Sequence, residues 1–486
     1  MKQSRRKFIK QSAWLALLAN ADSRELAWGS QYQKKSNKLS YLAHRSTDVQ
    51  GEKTLTEIEG RVPAEIGGQI LRLAPGRKEV FGEKLAHLFD GDPYLSCVDF
   101  SGDSIKWSGM FIQTPKVIRE AKENKMVYTE FGTDAPGFRN DHKFSPNVNV
   151  IPYQDKLLLL SESSLPTGVS RGSWSYLGFQ DFSGNWPDNL NFTAHPKLDT
   201  NRNKLYAYGI KQALGLDLMV YEIDPQQDKA KLLYSQKQKK AHVIHDMLMT
   251  ENYLILVIPP LYIDWTDLAF SKKPIAQALR YDEKLKTKIL ILSKKPDVTP
   301  IEIVTDPFMC FHHGNAFEKN GQIIFDSFVA KDASIFSAMG AWRSSELPKV
   351  ELPALTRFVL SLEDRKIVSM EKHVDACDLP ALDLARLGLE QESIYMTRIL
   401  DETDPLVAQA VAKYNFSNRE LSIYAQTDKE VYGEPLLHDR WMFVQGYSQS
   451  KDQSFLDILS AESMLQEARL WYGHYQPLGF HGCYLI

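Results

Sequence analysis

The sequence predicts an all-β protein built as a propeller. Short apolar or alternating runs occur throughout the chain from Gly60 onward, and Gly, Pro, Asn and Asp separate them, as is typical of strands joined by tight turns. No long amphipathic helical pattern dominates, and no glycine-rich phosphate loop is present. Roughly 430 residues of short strands suit a propeller, because its blades close into a ring and leave few exposed edges. The clearest runs are 69–73, 157–160, 254–258, 323–325, 355–362 and 440–447.

The composition fits a folded protein with a large core. Of the 486 residues, 43% are hydrophobic and 11% aromatic, which excludes disorder and low complexity. The net charge is -3, so no global basic field attracts nucleic acid. The four cysteines are scattered and form no CxxC pair, which argues against a cysteine-rich zinc module or a dense disulfide scaffold.

The first residues resemble an export signal. Residues 4–10 (SRRKFIK) place Arg5 and Arg6 before a mildly apolar run at 13–19. So short a run cannot cross a bilayer core of about 30 Å, which needs about 20 helical residues. The pattern resembles a twin-arginine signal, which a receptor reads and which does not act as an anchor. The alternative is an unstructured basic tail.

The expected organisation therefore has three parts. Residues 1–30 are predicted to be a twin-arginine signal peptide, 31–48 a linker, and 49–486 one propeller domain. The twin-arginine translocase would be a partner during export. The predicted location is the periplasm or another exported compartment, with or without membrane association.

One segment departs from the β pattern. Residues 259–279 mix apolar and aromatic side chains with Lys272 and Lys273, as an interfacial helix does. The alternative is an ordinary loop packed on the body of the protein. The first interpretation predicts a peripheral membrane contact through this segment.

Four short fragments contain histidines in similar surroundings. Pro196 fixes its own backbone and favours an extended conformation at His195, which gives the imidazole a stiff support. Comparable fragments surround His245, the pair His312 and His313, and His481. No two of these form the HExxH pair of metalloproteases, so only the tertiary fold can bring them together. Four neutral imidazoles suit Fe(II), Cu or Zn, although a lone histidine is more often structural.

An ordered set of motifs resembles the carotenoid cleavage oxygenases. Residues 60–63 (GRVP) are similar to the opening strand of that family, and 89–92 match its FDGD signature. The later motifs follow in the family's order: FGT at 131–133, NVNV at 147–150, LLLLSESSLP at 157–166, FTAHPKLDT at 192–200, IHDMLMTEN at 244–252, FHHGNAFE at 311–318 and LGFHG at 478–482.

The resemblance implies a fold and a metal centre. The fold is a seven-bladed propeller with a cap of loops and helices over its top face, and one Fe(II) per chain lies on its axis. The implied ligands are His195, His245, His312 and His481. The family motif Phe-His-x-x-Asn selects His312 over His313, and its His-Asp motif selects His245 over His242.

The resemblance also implies three glutamates that hydrogen-bond to the ligand imidazoles. Glu162 and Glu434 match two of them. Asp378, in the segment CDLP at 377–380, occupies the place of the third. Because aspartate is one methylene shorter, we expect Asp378 to act through a water or to shift one histidine.

The implied activity is oxidative cleavage of a carbon–carbon double bond in a carotenoid or apocarotenoid, with O2 as co-substrate and aldehydes or ketones as products. A first alternative is a dioxygenase for phenolic stilbenes, a subgroup that grips the phenol with a tyrosine and a lysine. Lys143 lies near the appropriate region, but 107–111 (WSGMF) offers no tyrosine. A second alternative is a propeller that binds apolar ligands without chemistry, its metal being structural.

Overall fold

The computed structural model describes residues 24–25, 38–136, 141–212, 216–271 and 273–486. Within these residues, seven antiparallel sheets of four or five strands form the blades of a propeller. The predicted all-β, seven-bladed fold is confirmed. The paired arginines at positions 5 and 6 lie outside the described residues.

Each blade is a meander, numbered here around the ring with its innermost strand first. Inner strands contact one another between blades 1 and 2 and from blade 4 through blades 5, 6 and 7 to blade 1. The strands are, for blade 1, His481–Leu485, Gln69–Pro75, Pro93–Asp99, Lys106–Phe111 and Gly51–Thr54; for blade 2, Asn149–Tyr153, Lys156–Leu160, Thr167–Ser170 and Tyr176–Phe179; for blade 3, Lys197–Asp199, Lys204–Gln212, Leu216–Asp224 and Lys229–Gln238; for blade 4, Leu248–Met249, Tyr253–Ile258, Thr287–Ser293 and Ile301–Thr305; for blade 5, Met309–Lys319, Gln322–Ala330, Ala354–Ser361 and Lys366–Val374; for blade 6, Cys377–Ala381, Ser393–Arg398, Ala410–Asn415 and Leu421–Tyr424; and for blade 7, Glu430–His438, Trp441–Ser448, Gln453–Ser460, Gln466–Trp471 and Ile58–Gly60.

The two ends of the chain close the ring. His481–Leu485 forms the inner strand of blade 1, where His481 lies opposite Leu73. Ile58–Gly60 forms the outer strand of blade 7 by pairing with Gln466–Trp471. Residues from both ends therefore fix blades 1 and 7 together, and His481 is placed on the axis by this closure.

The core lies between the blades. One cluster of buried apolar side chains fills each of the seven junctions of the described ring. At the junction of blades 7 and 1, for example, Trp107 and Phe111 pack with Phe443 and Ile458. Burying an aliphatic or aromatic side chain of this kind contributes about 1.5–3 kcal/mol. Because the apolar surface is used between the sheets, the axis is left for polar side chains.

A cap covers one face of the ring. It contains a small sheet of Arg24–Glu25, Leu279–Tyr281, Leu261–Ile263 and Ala241–His242, the hairpin Glu79–Val80 and Glu83–Lys84, the helices Leu39–Ala43, Pro115–Glu123, Trp265–Ser271 and Ile335–Gly340, and the 3-10 turn Ile275–Ala278. A second 3-10 turn, Leu384–Arg386, lies at the opposite face, in the loop between the inner and second strands of blade 6. The longest of these helices begins after Thr114, whose side chain accepts a hydrogen bond from the Val117 N–H, and ends at Asn124 in the left-handed conformation.

Part of the predicted linker is an ordered element. The helix Leu39–Ala43 docks on the ring, where the backbone N–H of Ser40 donates to Asp404 and the Tyr475 hydroxyl donates to the Ala43 carbonyl. Local composition missed this contact because its partners lie more than 350 residues further along the chain.

The segment 259–279 packs against the body of the protein. It contains a helix, but Leu261, Tyr262, Ala276, Ala278 and Leu279 are all buried. Among the described residues, no helix is long and apolar enough to span a membrane.

Candidate metal centre

The four predicted histidines all lie at one end of the inner strands. His195 and His245 come shortly before the inner strands of blades 3 and 4, and His481 begins the inner strand of blade 1. His312 lies within the inner strand of blade 5, where the register shifts between Cys310 and His313. An irregularity of this kind re-aims a side chain, and here it directs His312 to the axis.

The four imidazoles form one cluster. The Nε2 atoms of His195 and His245 are 3.0 Å apart, and those of His245 and His312 are 3.2 Å apart. One nitrogen from each of the four rings lies within 4.8 Å of all the others. The structure thus brings together residues that lie as much as 286 positions apart in the sequence.

The spacing of these nitrogens tests whether a metal ion fits. With metal–nitrogen bonds of about 2.1 Å, two ligand nitrogens lie about 3.0 Å apart at a right angle and about 3.4 Å apart at the tetrahedral angle. The observed 3.0 Å equals the first value, and the observed 3.2 Å lies midway between the two. The spacing of these nitrogens therefore fits ligands of one shared metal ion.

The remaining three blades each provide a carboxylate. Glu162 follows the strand Lys156–Leu160 of blade 2 and pairs with Nδ1 of His245. Asp378 of blade 6 lies 2.8 Å from Nδ1 of His312, and Glu434 of blade 7 lies 2.8 Å from Nδ1 of His481. Because Nδ1–H donates to the carboxylate in the Asp378 and Glu434 pairs, the Nε2 lone pair of each of these histidines is left for a metal ion.

Asp378 reaches His312 directly. Of the two expected consequences of a shorter side chain, a bridging water or a shifted histidine, the water is not needed, since the two atoms are 2.8 Å apart. The next residue, Leu379, has a left-handed backbone with φ +53°, and its N–H donates to the same carboxylate oxygen at 2.9 Å. The strand is also irregular between Asp378 and Ala381. The distorted backbone thus brings the aspartate close enough.

His195 differs from the other three histidines. Among the described residues, no carboxylate contacts its ring, and its backbone N–H donates to the Thr193 hydroxyl at 3.0 Å. Burial lowers the pKa of His195 well below 6.5, and the neighbouring His481, His245 and Lys197 act in the same direction. The ring is therefore neutral, as a metal ligand must be.

The two rejected histidines lie outside the cluster. His313 is buried with its Nδ1 2.7 Å from the Ser327 hydroxyl, and burial lowers its pKa to about 4. His242 lies in the cap sheet with its Nδ1 3.1 Å from the Pro259 carbonyl.

Sequence reasoning missed two cations beside the centre, the partly buried Lys197 and the buried Arg72. Lys197 lies 2.7 Å from Asp246, and the same carboxyl group accepts the His313 N–H. Arg72 lies 3.1 Å from Glu434 and also bonds to its backbone carbonyl. The available signal for Arg72 was a charged residue inside the apolar strand QILRLAP, because a buried charge needs a partner.

Two cavities meet at the cluster. One has a volume of about 200 Å³ and contacts His245, His312 and His481. The other has a volume of about 470 Å³ and extends under the cap. Phe89, Phe311 and His245 line both of them. An extended apolar molecule can therefore pass the metal centre with one part in each cavity.

These features define a class of protein: a propeller with four axial histidines that could hold a metal ion, three supporting carboxylates and two cavities beside the cluster. The family model for the retinal pigment epithelial membrane protein, RPE65, matches residues 44–485. The chain belongs to this family, the carotenoid cleavage oxygenases.

Curated relatives agree with this assignment. The apocarotenoid-15,15'-oxygenase of Synechocystis sp. is 24% identical over 469 residues, which covers 90% of this chain and 94% of the relative. Resveratrol cleavage oxygenase 1 of Botryotinia fuckeliana is 30% identical over 220 residues, covering 43% of this chain and 38% of that protein. The mitochondrial carotenoid-cleaving dioxygenase of Homo sapiens is 24% identical over 302 residues, covering 55% and 52%. These relatives indicate an oxidoreductase of the dioxygenase class.

Solved structures show the same fold. The cobalt-substituted Synechocystis oxygenase superimposes with a TM-score of 0.84 at 23% identity, over 92% of this chain and 98% of that one. A chimera of the same oxygenase with RPE65 also gives a TM-score of 0.84 at 23% identity, over 93% and 100%.

Proposed function

We propose that the protein is a non-haem Fe(II) dioxygenase that cleaves a carbon–carbon double bond of a carotenoid or apocarotenoid with O2, giving aldehyde or ketone products. The observation that carries this proposal is the four-imidazole cluster at the spacing of metal ligands, with two cavities beside it. The apocarotenoid and carotenoid oxygenases among the relatives support the substrate class.

Iron suits the donor set better than the other metals considered. Neutral imidazoles bind Fe, Cu and Zn alike, but a structural zinc fills a tetrahedral shell and leaves no free position. A ferrous ion held by the four Nε2 atoms would supply the redox chemistry that lets O2 react with an alkene. His195, His245, His312 and His481 would hold it, one ion per chain.

The chain's own contribution is orientation and exclusion of water. Phe89 packs against Phe131, Phe336 and Phe480, while Phe311 packs against His245. These rings form apolar walls beside the centre that can hold a flat conjugated chain. Since the substrate needs no bond to the metal, its position in the two cavities decides which double bond lies at the centre.

Oxygen consumption tests the proposal. Protein reconstituted with Fe(II) would be mixed aerobically with carotenoids, apocarotenoids and stilbenes, with O2 uptake and product masses recorded. We expect O2 uptake matched by a pair of carbonyl products. Tight binding of the polyene without O2 uptake would instead establish a binding protein with a structural metal.

The stilbene alternative keeps the same centre and has one relative in its favour, the resveratrol cleavage oxygenase. Lys143, however, lines neither of the two cavities. Its Nζ pairs with Asp92, lies 2.7 Å from Glu120 and 3.2 Å from Glu130, and its side chain is 2% exposed. A lysine that already binds three carboxylates has little capacity for a phenolate, which favours the carotenoid hypothesis.

We further propose that the protein is exported by the twin-arginine translocase to the periplasm. The support is the sequence around Arg5 and Arg6 alone. Changing both arginines to lysine should retain the protein in the cytoplasm. Cell fractionation measures where the variant is found. Unchanged export would exclude a twin-arginine signal.

The segment 259–279 is proposed to admit lipid-soluble substrate, with a peripheral membrane contact on its outer side. Ile263, Leu268 and Ile275 line the larger cavity, so the segment forms one wall of the route to the centre. Co-sedimentation with phospholipid vesicles tests the contact, and a protein that stays in the supernatant at all lipid concentrations would exclude it.

A further inference from the structure

One ion pair joins the chain neighbours of three ligand histidines. The Lys197 ammonium lies 2.7 Å from Oδ1 of Asp246, and Oδ2 of Asp246 accepts the backbone N–H of His313 at 3.1 Å. Each of these three residues lies one or two positions after a ligand histidine in the sequence. The contact, called here the Lys197–Asp246 bridge, therefore connects blades 3, 4 and 5 beside the metal centre.

The ligand of blade 3 lacks the support that the other ligands have. Among the described residues, no carboxylate contacts the ring of His195, whereas each of the other three ligand rings has one. The inner strand of blade 3, Lys197–Asp199, also packs less closely on its neighbours than the other inner strands do. The position of the His195 ring therefore depends on how its backbone is held.

The backbone of His195 is held on both sides by neighbouring blades. The side-chain amide of Asn149, in blade 2, donates to the carbonyl of Ala194 at 2.8 Å. On the other side, Lys197 reaches Asp246 across the junction with blade 4. The bridge is thus the link that fixes this ligand relative to the ligands of the next two blades.

The bridge is shielded from water, and both oxygens of its carboxylate are used. The side chain of Asp246 is 4% exposed and that of Lys197 is 17% exposed. Oδ1 of Asp246 also accepts the Met247 N–H at 2.6 Å. Because a buried carboxylate loses free energy when its partners move away, these contacts keep the joined segments at a defined spacing.

We propose that Lys197 is a positioning residue for the metal centre, which acts through Asp246 to set the distance of His195 from the ligands of blades 4 and 5. Lys197 lines neither cavity, so it acts on the ligands and does not contact the substrate. The inference rests on the metal centre of the proposed function and deepens it, because it names the contact that takes the place of a fourth carboxylate.

Co(II) is the probe for the test, because its visible absorption bands respond to the number and geometry of its ligands. Lys197→Met keeps the aliphatic stem and removes the charge. It should change these bands and lower Co(II) affinity about 10- to 100-fold in competition with a chelator, the usual cost of losing a partner behind the ligands. Removing a positive charge near a dication favours binding by itself, so a fall in affinity reports lost positioning. Lys197→Arg keeps the cation and should restore most of the affinity and the spectrum.

Lys294→Met is the matched control. Lys294 follows the third strand of blade 4 and lies 2.8 Å from Asp199, and its side chain is 3% exposed. This ion pair also ties the strand Lys197–Asp199 to blade 4, but at the end away from the ligands. Lys294→Met should therefore lower the free energy of unfolding of the metal-free protein and keep the wild-type Co(II) affinity and spectrum. Equal effects of the two methionine variants on Co(II) binding would overturn the inference, as would a wild-type affinity and spectrum in Lys197→Met.

A double-mutant cycle tests whether Lys197 acts through Asp246. Residues that act in one contact show non-additive effects. The double variant Lys197→Met/Asp246→Asn should therefore lose less Co(II) binding free energy than the sum of the two single variants. Additive losses would mean that Lys197 acts by another route and would overturn the inference.

The Co(II) measurements do not depend on cleavage, so they separate the two proposals. A Co(II) site that is disturbed in Lys197→Met, with no cleavage by the iron-loaded wild type, would sink the dioxygenase and keep the positioning role. Cleavage by the wild type, with an undisturbed site in Lys197→Met, would keep the dioxygenase and sink the positioning role.

Discussion

Blades 6 and 7 each hold a carboxylate against a ligand histidine, but they do so in different ways. Asp378 and Glu434 each lie 2.8 Å from Nδ1 of a ligand histidine. Glu434 is neutralised by a buried guanidinium, since Arg72 lies 3.1 Å from its free oxygen. Asp378 has no lysine or arginine within ion-pair distance among the described residues and is held by the Leu379 N–H. The same contact to a histidine can thus be built on an ion pair or on a distorted backbone.

The difference has a physical consequence. A carboxylate paired with a buried arginine is electrostatically compensated, whereas Asp378 is 25% exposed at its side chain and is solvated instead. Replacing Arg72 should therefore lower the stability of the protein. Replacing Asp378 should mainly lower its affinity for the metal.

We expect the largest loss of iron binding when a ligand histidine is removed. The effects of changing Asp378 and Glu434 can be compared with that loss. His245→Ala should abolish iron binding and activity, because His245 is at the centre of the cluster, within 3.2 Å of two other ligand nitrogens. Iron content per chain by atomic absorption is the measurement. His242→Ala is the control and should bind a full complement. Normal iron content in the His245 variant would exclude this ligand set.

Arg72→Met should break the blade 7 arrangement. It leaves Glu434 buried without its cation, which should lower the free energy of unfolding of the metal-free protein by about 3–5 kcal/mol. Denaturant unfolding measures this, and Arg72→Lys should retain most of the stability. An unchanged midpoint would show that Glu434 does not depend on the ion pair.

Neutral variants of the two carboxylates compare how much blades 6 and 7 contribute to iron affinity. Asp378→Asn and Glu434→Gln should each weaken iron affinity by about 10- to 100-fold, because a neutral amide oxygen accepts a weaker hydrogen bond from the ligand histidine than a carboxylate does. Competition with a chelator provides the measurement. Asp378→Glu keeps a carboxylate and should cost less than Asp378→Asn. If the asparagine variant binds iron normally, the contact in blade 6 has no function.

We expect Glu162, the third carboxylate, to have a small, pH-dependent effect on the stability of the folded protein. Burial alone would raise the pKa of Glu162, but the charge of His245 and its hydrogen bond hold it below the ordinary value of 4.5. A group with a lowered pKa in the folded protein stabilises it above pH 4.5, and this contribution is lost as the pH falls through the lowered value.

Melting temperatures of metal-free wild type and Glu162→Gln, measured from pH 7 to pH 3, test this. The wild type should be the more stable at neutral pH, and the gap should close in acid. A gap that stays constant over this range would contradict the lowered pKa.

The sequence by itself determined the class of fold and the candidate ligands. Strand-like runs separated by turn residues indicated a β architecture, since side-chain periodicity and turn chemistry are local properties. The ordered motifs around His195, His245, His312 and His481 identified the family. They also selected His312 over its neighbour His313, and the structure places His312 in the cluster and His313 outside it.

Only the tertiary structure decided how those residues act together. Closure of the ring places His481 on the axis beside residues from blades 3, 4 and 5. It also pairs Arg72 with Glu434 across 362 positions and lets a backbone distortion at Leu379 make up for a shorter side chain. The docked helix Leu39–Ala43 belongs to the same category. These features depend on distances between remote segments, and local sequence patterns carry no information about such distances.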